Sequence, residues 1–464
     1  MAVFGGKKKV KSNNEITVRK ALKEGDIFTK LSAVVMGLGN IARGQIIKGF
    51  MFFAMELSFL LFMVLRGISY LKGLITLGTV TRIEVFNEAK QVYEYAEGDN
   101  SMLFLLYGIT TVFVILIFIG LWRAAIKSAF IVQQKKEAGK HIPAFIDDMA
   151  ELLNVNIHKT LLFFPVICVV AFTILPLIFM ISMAFTNYDR NHQVPGNLFH
   201  WVGLTNFREL FDSSSGLAYA FWHVLGWTIV WAIFATFLSY ILGMILAIVI
   251  NREGTRGKGF WRFIFVLSIA VPQFVSLLVM RTLLQPNGGV NVLLRSLGLI
   301  GMKESLPFWT NATWARITII IVNLWIGIPY TMLQVTGILK NIPSDLYEAA
   351  KIDGANPFRI FKSITLPYML FVTAPYLITS FIGNVNNFNV IYLLTGGNPA
   401  SLAYHNGTAG KTDLLVTWLY KLTIDLKDYN YGAVIGIMVF VLSAVFALMT
   451  YHRTSAYKNE EGFQ

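Results

Sequence analysis

Eight neutral polar residues stand in stretches that are otherwise apolar: Asn323, Trp325, Tyr330, Gln334, Ser380, Asn384, Asn386 and Asn387. A carboxamide both donates and accepts hydrogen bonds, and Tyr and Trp present a flat apolar face with a polar edge. Together they suit an uncharged, hydroxyl-rich solute. No Asp or Glu falls at depth in the six C-terminal apolar stretches. An ion-coupled carrier needs a titratable or cation-coordinating group near the membrane midplane, and an ion channel needs charged rings or a carbonyl filter. A lone Asn is most simply interhelical hydrogen-bond glue. The crowding of Asn384-Val385-Asn386-Asn387 into one stretch argues instead for a binding site.

The elements that must hold these residues are membrane helices. The chain has 464 residues, 55% of them hydrophobic and 14% charged. Its mean hydropathy of +0.59 excludes an ordinary soluble domain. A helix needs about 20 apolar residues to cross the hydrocarbon. Eight stretches qualify: Ile46–Leu65, Ser101–Trp122, Thr160–Phe185, Trp222–Ile250, Phe263–Leu284, Ala315–Leu339, Leu366–Phe388 and Gly432–Tyr451. Ile68–Val80 is too short to cross, contains Lys72, and is expected at an interface or outside. Glu56 interrupts the first span, where a structural hydrogen bond is expected rather than a transport role. Pro165, Pro176, Pro272, Pro329 and Pro375 each remove a backbone bond and invite a kink.

The net charge of +13 is distributed against a nucleic-acid reading. Lys7, Lys8, Lys9, Lys11, Arg19, Lys20 and Lys23 open the chain. Arg123, Lys127, Lys135, Lys136 and Lys140 follow the second span, and Arg252, Arg256, Lys258 and Arg262 the fourth. The loop after the first span is acidic, with Glu84, Glu88, Glu94, Glu97 and Asp99. Basic loops face the cytoplasm, so both termini are expected there, and no cleavable signal peptide is apparent. The single cysteine, Cys168, forms no intrachain disulfide and no metal site. The expected organisation is a basic segment over residues 1–45, a two-helix accessory region over 46–155, and a six-helix core over 156–464.

Between the sixth and seventh spans lies a short polar element. Pro343-Ser344-Asp345 reads as a helix start with Ser344 as cap, and Asp345 and Glu348 favour the positive helix end. Leu346, Ala349, Ala350 and Asp353 follow helical spacing, and Gly354 ends the helix. Asn356-Pro357 starts another helix, with Phe358, Phe361 and Ile364 as its apolar face. The charge rule places this helix–turn–helix in the cytoplasm, as a rigid docking element.

Glu348-Ala349-Ala350, then Gly354, then Ile364-x-Leu366-Pro367 resembles the coupling loop of ABC-importer permeases. The spans around it resemble the MalF-type permease of maltose and maltodextrin importers, over roughly 160–464 well and the first 150 residues loosely. Tyr392–Pro399 and Thr412-Asp413-Leu414-Leu415 also look like this subfamily. The resemblance implies an all-α polytopic membrane protein with a six-helix type I importer core plus two N-terminal helices. It implies sugar contacts at Ile326, Gly327, Tyr330, Ser380, Gly383, Asn384 and Asn387. It implies ATPase coupling through Glu348, Ala349, Ala350, Asp353 and Gly354 in the loop 344–366. Gly383 departs from the family pattern, where an aromatic residue stands, and the lost stacking surface is expected to widen the pocket.

Implied partners are a second, MalG-type permease, two cytoplasmic ABC ATPases that bind ATP and Mg, and an extracellular sugar-binding protein. The short loop at 186–221 points to a lipoprotein form of the last. The chain lacks a Gly-x-x-x-x-Gly-Lys-Ser/Thr phosphate loop, so it holds no cofactor of its own in that way. Import of galactan-type oligosaccharides is the alternative within this class. An ion-coupled secondary carrier is the alternative outside it, and the missing core carboxylates argue against that.

Overall fold

The computed structural model describes residues 16–194, 196–252 and 254–451. Lys7, Lys8, Lys9, Lys11 and the C-terminal residues 452–464 lie outside the described residues. By compactness the chain divides in two. One unit runs to Ser182 and includes Asn191–Trp201; the other comprises Met183–Arg190 and the chain from Val202 onward. The sequence reading places its boundary near Asn154–Lys159. The third span instead groups with the first unit, and its most apolar window has no buried residue.

In the first unit, α1 (Ile46–Thr76) passes a wide turn at Met63–Gly67 and continues through the stretch expected to lie apart. Ile68–Thr76 is therefore helical and continuous with the first span. The acidic loop that follows forms a hairpin, β1 (Glu84–Asn87) against β2 (Val92–Tyr95), with Glu84 opposite Tyr95 and Asn87 opposite Val92. The fold is thus mainly, not wholly, helical. Val, Phe and Tyr interspersed with Glu and Asn suit an exposed two-stranded ribbon.

The 37-residue helix α2 (Ser101–Glu137) returns. The basic lead folds onto its far end. Arg43 is buried and donates to the carbonyls of Gly39 (2.7 Å) and Ala129 (3.1 Å), and it pairs with Asp26. Burial raises the Asp26 carboxyl, but the Thr29 amide and Arg43 outweigh it and hold the group below its usual range. Glu56 accepts from the Met36 amide at 2.7 Å, the structural bond expected of it. The apolar helix α3 (Ile157–Met183) completes the spans up to the division.

In the second unit, α4 (Gly216–Asn251) packs along α7 (Ala312–Leu339). Gly243 permits their contact, since a β-carbon there would collide with Thr331. Tyr240, Met244, Ala247 and Ile250 of α4 meet Met332 and Val335 of α7 in one buried cluster that includes Met369. The fifth stretch is not one helix. It breaks by 85° at Val271–Pro272 into α5 (Lys258–Ala270) and α6 (Gln273–Leu283). Of the five span prolines, Pro272 is the one at such a break; Pro165, Pro329 and Pro375 lie inside helices. With the broken pair counted once, the described residues hold eight apolar spans.

The loop after α7 forms α8 (Ser344–Ile352), which leads into α9 (Pro357–Leu394). Helix α9 is interrupted at Asn386 and Asn387, and α10 (Tyr429–Thr450) closes the described chain.

Candidate functional site

One cavity of about 230 Å³ lies inside the second unit. Its walls come from α4 (Ala235, Thr236, Ser239), from the broken pair (Ile269, Gln273), from α7 (Asn323, Ile326, Gly327, Tyr330, Thr331) and from α9 (Tyr376, Ser380, Asn384, Asn387). Helix geometry explains the grouping. Asn323, Ile326, Gly327 and Tyr330 recur at three- and four-residue steps, as do Tyr376, Ser380, Asn384 and Asn387, so each set shares a helix face. No acidic or basic side chain lines this space.

Six of the seven residues nominated from sequence meet here: Ile326, Gly327, Tyr330, Ser380, Asn384 and Asn387. Gly383 does not. It is exposed, and a β-carbon placed on it would meet nothing within 4 Å. Gly383 stands at helical spacing from Ser380 and Asn387 on α9 but outside the lining of this cavity. Among the other polar residues noted, Trp325 points outward at 58% exposure. Asn386 is exposed and donates back to the Ile382 carbonyl.

Sequence reasoning passed over Thr236, Ser239, Gln273 and Tyr376. Thr236-x-x-Ser239 puts two hydroxyls on one helical face of an apolar span, and Gln273 directly follows the breaking Pro272. Both were available as signals.

The amides of α9 are partly occupied. Asn384 Nδ2 donates to Thr236 Oγ1 at 2.9 Å, and Asn387 Nδ2 donates to Asn384 Oδ1 at 3.3 Å. Asn387 Oδ1 accepts from the Val390 amide at 3.2 Å and so caps the restart of the helix. Trp231 Nε1 holds the Asn384 carbonyl at 3.1 Å. Tyr330 and Tyr376 place their ring centres 6.5 Å apart, tilted by 38°.

A second polar cluster holds the loop after α9, built from the two family-like motifs. Asp413 is fully buried. It accepts from the Gly410 amide (2.7 Å) and Thr417 Oγ1 (2.9 Å) and pairs with Lys421 Nζ at 2.6 Å. Burial pushes its carboxyl upward, against the pull of Lys421 and the donors. Thr412 Oγ1 reaches the Asn398 carbonyl at 2.6 Å and Thr395 Oγ1 at 2.9 Å. A β-carbon at Gly397, whose φ is +86°, would strike the Asp413 carboxyl. Only glycine tolerates both that backbone and that proximity.

The residues expected to couple, Glu348, Ala349, Ala350, Asp353 and Gly354, all lie on or just beyond α8, and all but Ala350 are exposed. Pro343 occupies the cap position and Ser344 is the first helical residue, so Ser344 is not the cap. The helix ends as a Schellman turn: Ala355 donates to the Ala350 carbonyl, Gly354 donates to Lys351, and Gly354 has φ +73°. The Asn356 side chain caps the next turn through the Arg359 amide.

That second helix runs into the span through a wide turn at Phe361–Thr365, without a break. Pro367 has no amide proton to give the preceding turn, and the wide turn accommodates this. Tyr347 Oη meets Thr365 Oγ1 at 3.1 Å, joining α8 to the base of α9. The expected apolar face is divided: Phe361 packs on the α4–α7 core and Ile364 is half-buried, whereas Phe358 is 72% exposed; Ile352, at the end of α8, is 86% exposed.

A multi-pass helical protein with a neutral polar cavity and an exposed helix–turn–helix continuous with a cavity-lining span has the build of a solute permease. Residues 239–455 match the family model described as "Binding-protein-dependent transport system inner membrane component". The chain is 33% identical over 439 residues to the maltodextrin transport system permease protein MalC of Streptococcus pneumoniae, covering 93% of this chain and 96% of that one. It is 35% identical over 434 residues to the galactooligosaccharides transport system permease protein GanP of Bacillus subtilis, covering 93% and 98%. A crystal structure of a bacterial ABC transporter importing the acidic polysaccharide alginate includes a chain of similar fold. Its TM-score is 0.53 at 23% identity, over 66% of this chain and 96% of that one. The chain belongs to the MalF-type permease family of bacterial carbohydrate ABC importers.

Proposed function

We propose that this chain passes neutral oligosaccharides of the maltodextrin type through the cavity between α4, α7 and α9, in a bacterial plasma membrane, with both termini cytoplasmic. The observation that carries the reading is the cavity lining: six neutral side chains nominated from sequence converge there, with no charge among them. Ile326 and Gly327 give an apolar, close-approach wall. Tyr330 gives a ring face and a hydroxyl, and Ser380, Asn384 and Asn387 give donors and acceptors to sugar hydroxyls. Each neutral hydrogen bond is worth about 0.5–1.5 kcal/mol net, so the site binds weakly and releases its load.

A second, homologous permease completes the passage, and an extracellular binding protein anchored as a lipoprotein delivers the sugar. Two cytoplasmic ATPases bind ATP and Mg and do the hydrolysis; this subunit is not itself catalytic. They grip α8 through Glu348, Ala349, Ala350, Asp353 and Gly354, with exposed Ile352 and Phe358 as an apolar anchor. Because α8 is bonded to Thr365 and the following helix is continuous with α9, movement of α8 reaches Ser380, Asn384 and Asn387 through one element.

A galacto-oligosaccharide cargo is the second reading, favoured by the equal likeness to permeases named for either sugar. The test is ATPase activity of the assembled complex in lipid discs with its binding protein. Stimulation by maltotetraose and not by a β-galacto-oligosaccharide is expected. The reverse result moves the cargo to the second reading, and uptake driven by an ion gradient without ATP defeats the importer reading.

A further inference from the structure

In the first unit, α1 and α2 pack tightly at one end and leave a groove toward the other. Near the hairpin a β-carbon at Gly73 would strike the Phe104 ring, and one at Gly108 the Leu74 side chain, so the two backbones lie close. Farther along, Phe59 and Phe118 stack with ring centres 3.7 Å apart. Beside that stack runs an apolar groove of about 540 Å³, walled by Met51, Met55, Ser58 and Phe62 of α1 and by Val114 and Ile117 of α2. A second hollow of about 340 Å³ adjoins it at the basic end, and Met51 and Met55 line both. The short helix Phe145–Leu153 covers this hollow with Phe145, Met149 and Leu152. It is fastened to α1: Gln45 Nε2 donates to the Pro143 carbonyl at 2.8 Å, and Lys48 Nζ pairs with Asp148 at 2.8 Å.

Lys48, Met51, Met55, Ser58 and Phe62 recur at three- and four-residue steps, so they form one stripe along α1. At 1.5 Å per residue the stripe is about 21 Å long, against about 15 Å for one leaflet of the hydrocarbon. Its apolar part belongs to a membrane span, where water does not compete for the space. Its charged end is mixed in sign. Among the described residues, Lys48, Asp148 and Glu151 are the only charged side chains in either lining, and Glu151 also accepts from Asn156 at 2.8 Å. One ammonium and two carboxylates leave a surplus negative charge. That surplus repels a purely anionic headgroup and suits one that carries a phosphate and an ammonium together.

We infer that this continuous groove binds one zwitterionic phospholipid, with an acyl chain between α1 and α2, the phosphate on Lys48 and the headgroup ammonium on Asp148 and Glu151. An ammonium side chain has three donors, so Lys48 serves both Asp148 and a phosphate. The short helix carries apolar residues at 145, 146, 149, 152 and 153 and carboxylates at 147, 148 and 151. That is the pattern of a helix lying in the membrane surface, which sets the charged end of the groove at headgroup level. The lipid supplies packing that α1 and α2 do not give each other over this length, and it ties the surface helix to the first span. The leaflet is the cytoplasmic one under the orientation proposed above; the site itself depends neither on that orientation nor on the cargo.

The test uses the complete complex, purified in detergent, stripped of lipid and titrated with phosphatidylethanolamine or phosphatidylglycerol. Bound lipid is counted by native mass spectrometry, without sugar or ATP. One phosphatidylethanolamine above the non-specific background is expected, with phosphatidylglycerol about tenfold weaker. Met55→Trp fills the groove where its two parts join, and it is expected to weaken phosphatidylethanolamine by about tenfold or more. Asp148→Asn keeps the side chain's shape, removes its charge and is expected to narrow the preference between the two lipids. Equal affinity of the wild type for both lipids, or no lipid above background, overturns the assignment. So does an assembled Met55→Trp complex that binds as the wild type does, or an unchanged preference in Asp148→Asn. If Met55→Trp fails to assemble, a photoreactive benzophenone side chain in place of Met55 decides. A crosslink to lipid supports the site, whereas a crosslink to the second permease makes the groove a protein interface and overturns it. None of these readouts involves sugar, so a failure here is distinguishable from a failure of the oligosaccharide reading.

Discussion

The second unit contains two polar clusters of opposite character. Around Asp413 the polar groups are paired: carboxyl with lysine, amide and hydroxyl, and threonine with threonine and carbonyl. Around the 230 Å³ cavity they are not, since Ser239 Oγ has no partner among the described residues and the asparagines of α9 are half occupied. Both clusters draw on neutral amides and hydroxyls, so composition does not separate them. Completeness does. A satisfied buried network rigidifies and fixes one arrangement, whereas an incomplete one is costly unless something arrives to finish it. The first cluster therefore reads as scaffold and the second as a binding site.

The comparison breaks most severely at its rigid end. Asp413→Ala strands Lys421, the Gly410 amide and Thr417, and removing one partner of a buried pair costs about 3–5 kcal/mol. Loss of the assembled complex on size-exclusion chromatography is the expected outcome. An assembled variant with unaltered melting temperature would mean that the cluster is not scaffold.

Next in size is the coupling element. Gly354 has φ +73°, and Gly354→Asp strains the Schellman turn while adding a charge beside Asp353. Sugar uptake is expected to fall to background while the chain still reaches the membrane. Glu348→Lys, which reverses the charge of an exposed residue on α8, is expected to act in the same direction by weakening ATPase docking. Normal uptake in both would remove α8 from the transmission path.

The smallest effect belongs to the loose cluster. Asn384→Ala loses one bond to Thr236 and one from Asn387, and it frees those groups for the cavity. The complex is expected to stay assembled and to change its preference among oligosaccharides by a few-fold. Identical uptake kinetics across all sugars tried would take Asn384 out of the site.

Much of this was legible in the chain itself. Hydropathy locates the spans because helices in lipid must be apolar over a fixed length, and the cap residues Asn356 and Gly354 announce the turn after α8 because few residues serve those positions. The resemblance nominated Tyr330, Ser380, Asn384 and Asn387, and they line one cavity. Gly383, at helical spacing from Ser380 and Asn387, nonetheless stays outside the lining, because which positions of a helix meet a cavity is decided by tertiary packing.

The break at Pro272 was visible only as an invitation to kink, since local sequence does not set an 85° bend. Gln273 was missed for the same reason: its place in the wall follows from the bend. Ser344 lost the cap to Pro343 by a shift of one residue, within the usual uncertainty of helix ends. The basic start reads as a charged lead segment, but Arg43 is buried against α2, a long-range contact that composition does not encode.

Cys168 makes one direct measurement simple, because it is the only cysteine in the chain. With Cys168 replaced by Ser, Ser380→Cys puts a single thiol in the cavity lining, and Gly383→Cys puts one on the same helix outside it. Both would be labelled with a small methanethiosulfonate in the assembled complex, with and without saturating maltotetraose and binding protein. The account predicts that sugar slows labelling at 380 and leaves 383 unaffected. Equal rates at 380 with and without sugar, while uptake of that sugar proceeds, would contradict the claim that this cavity is where the cargo sits.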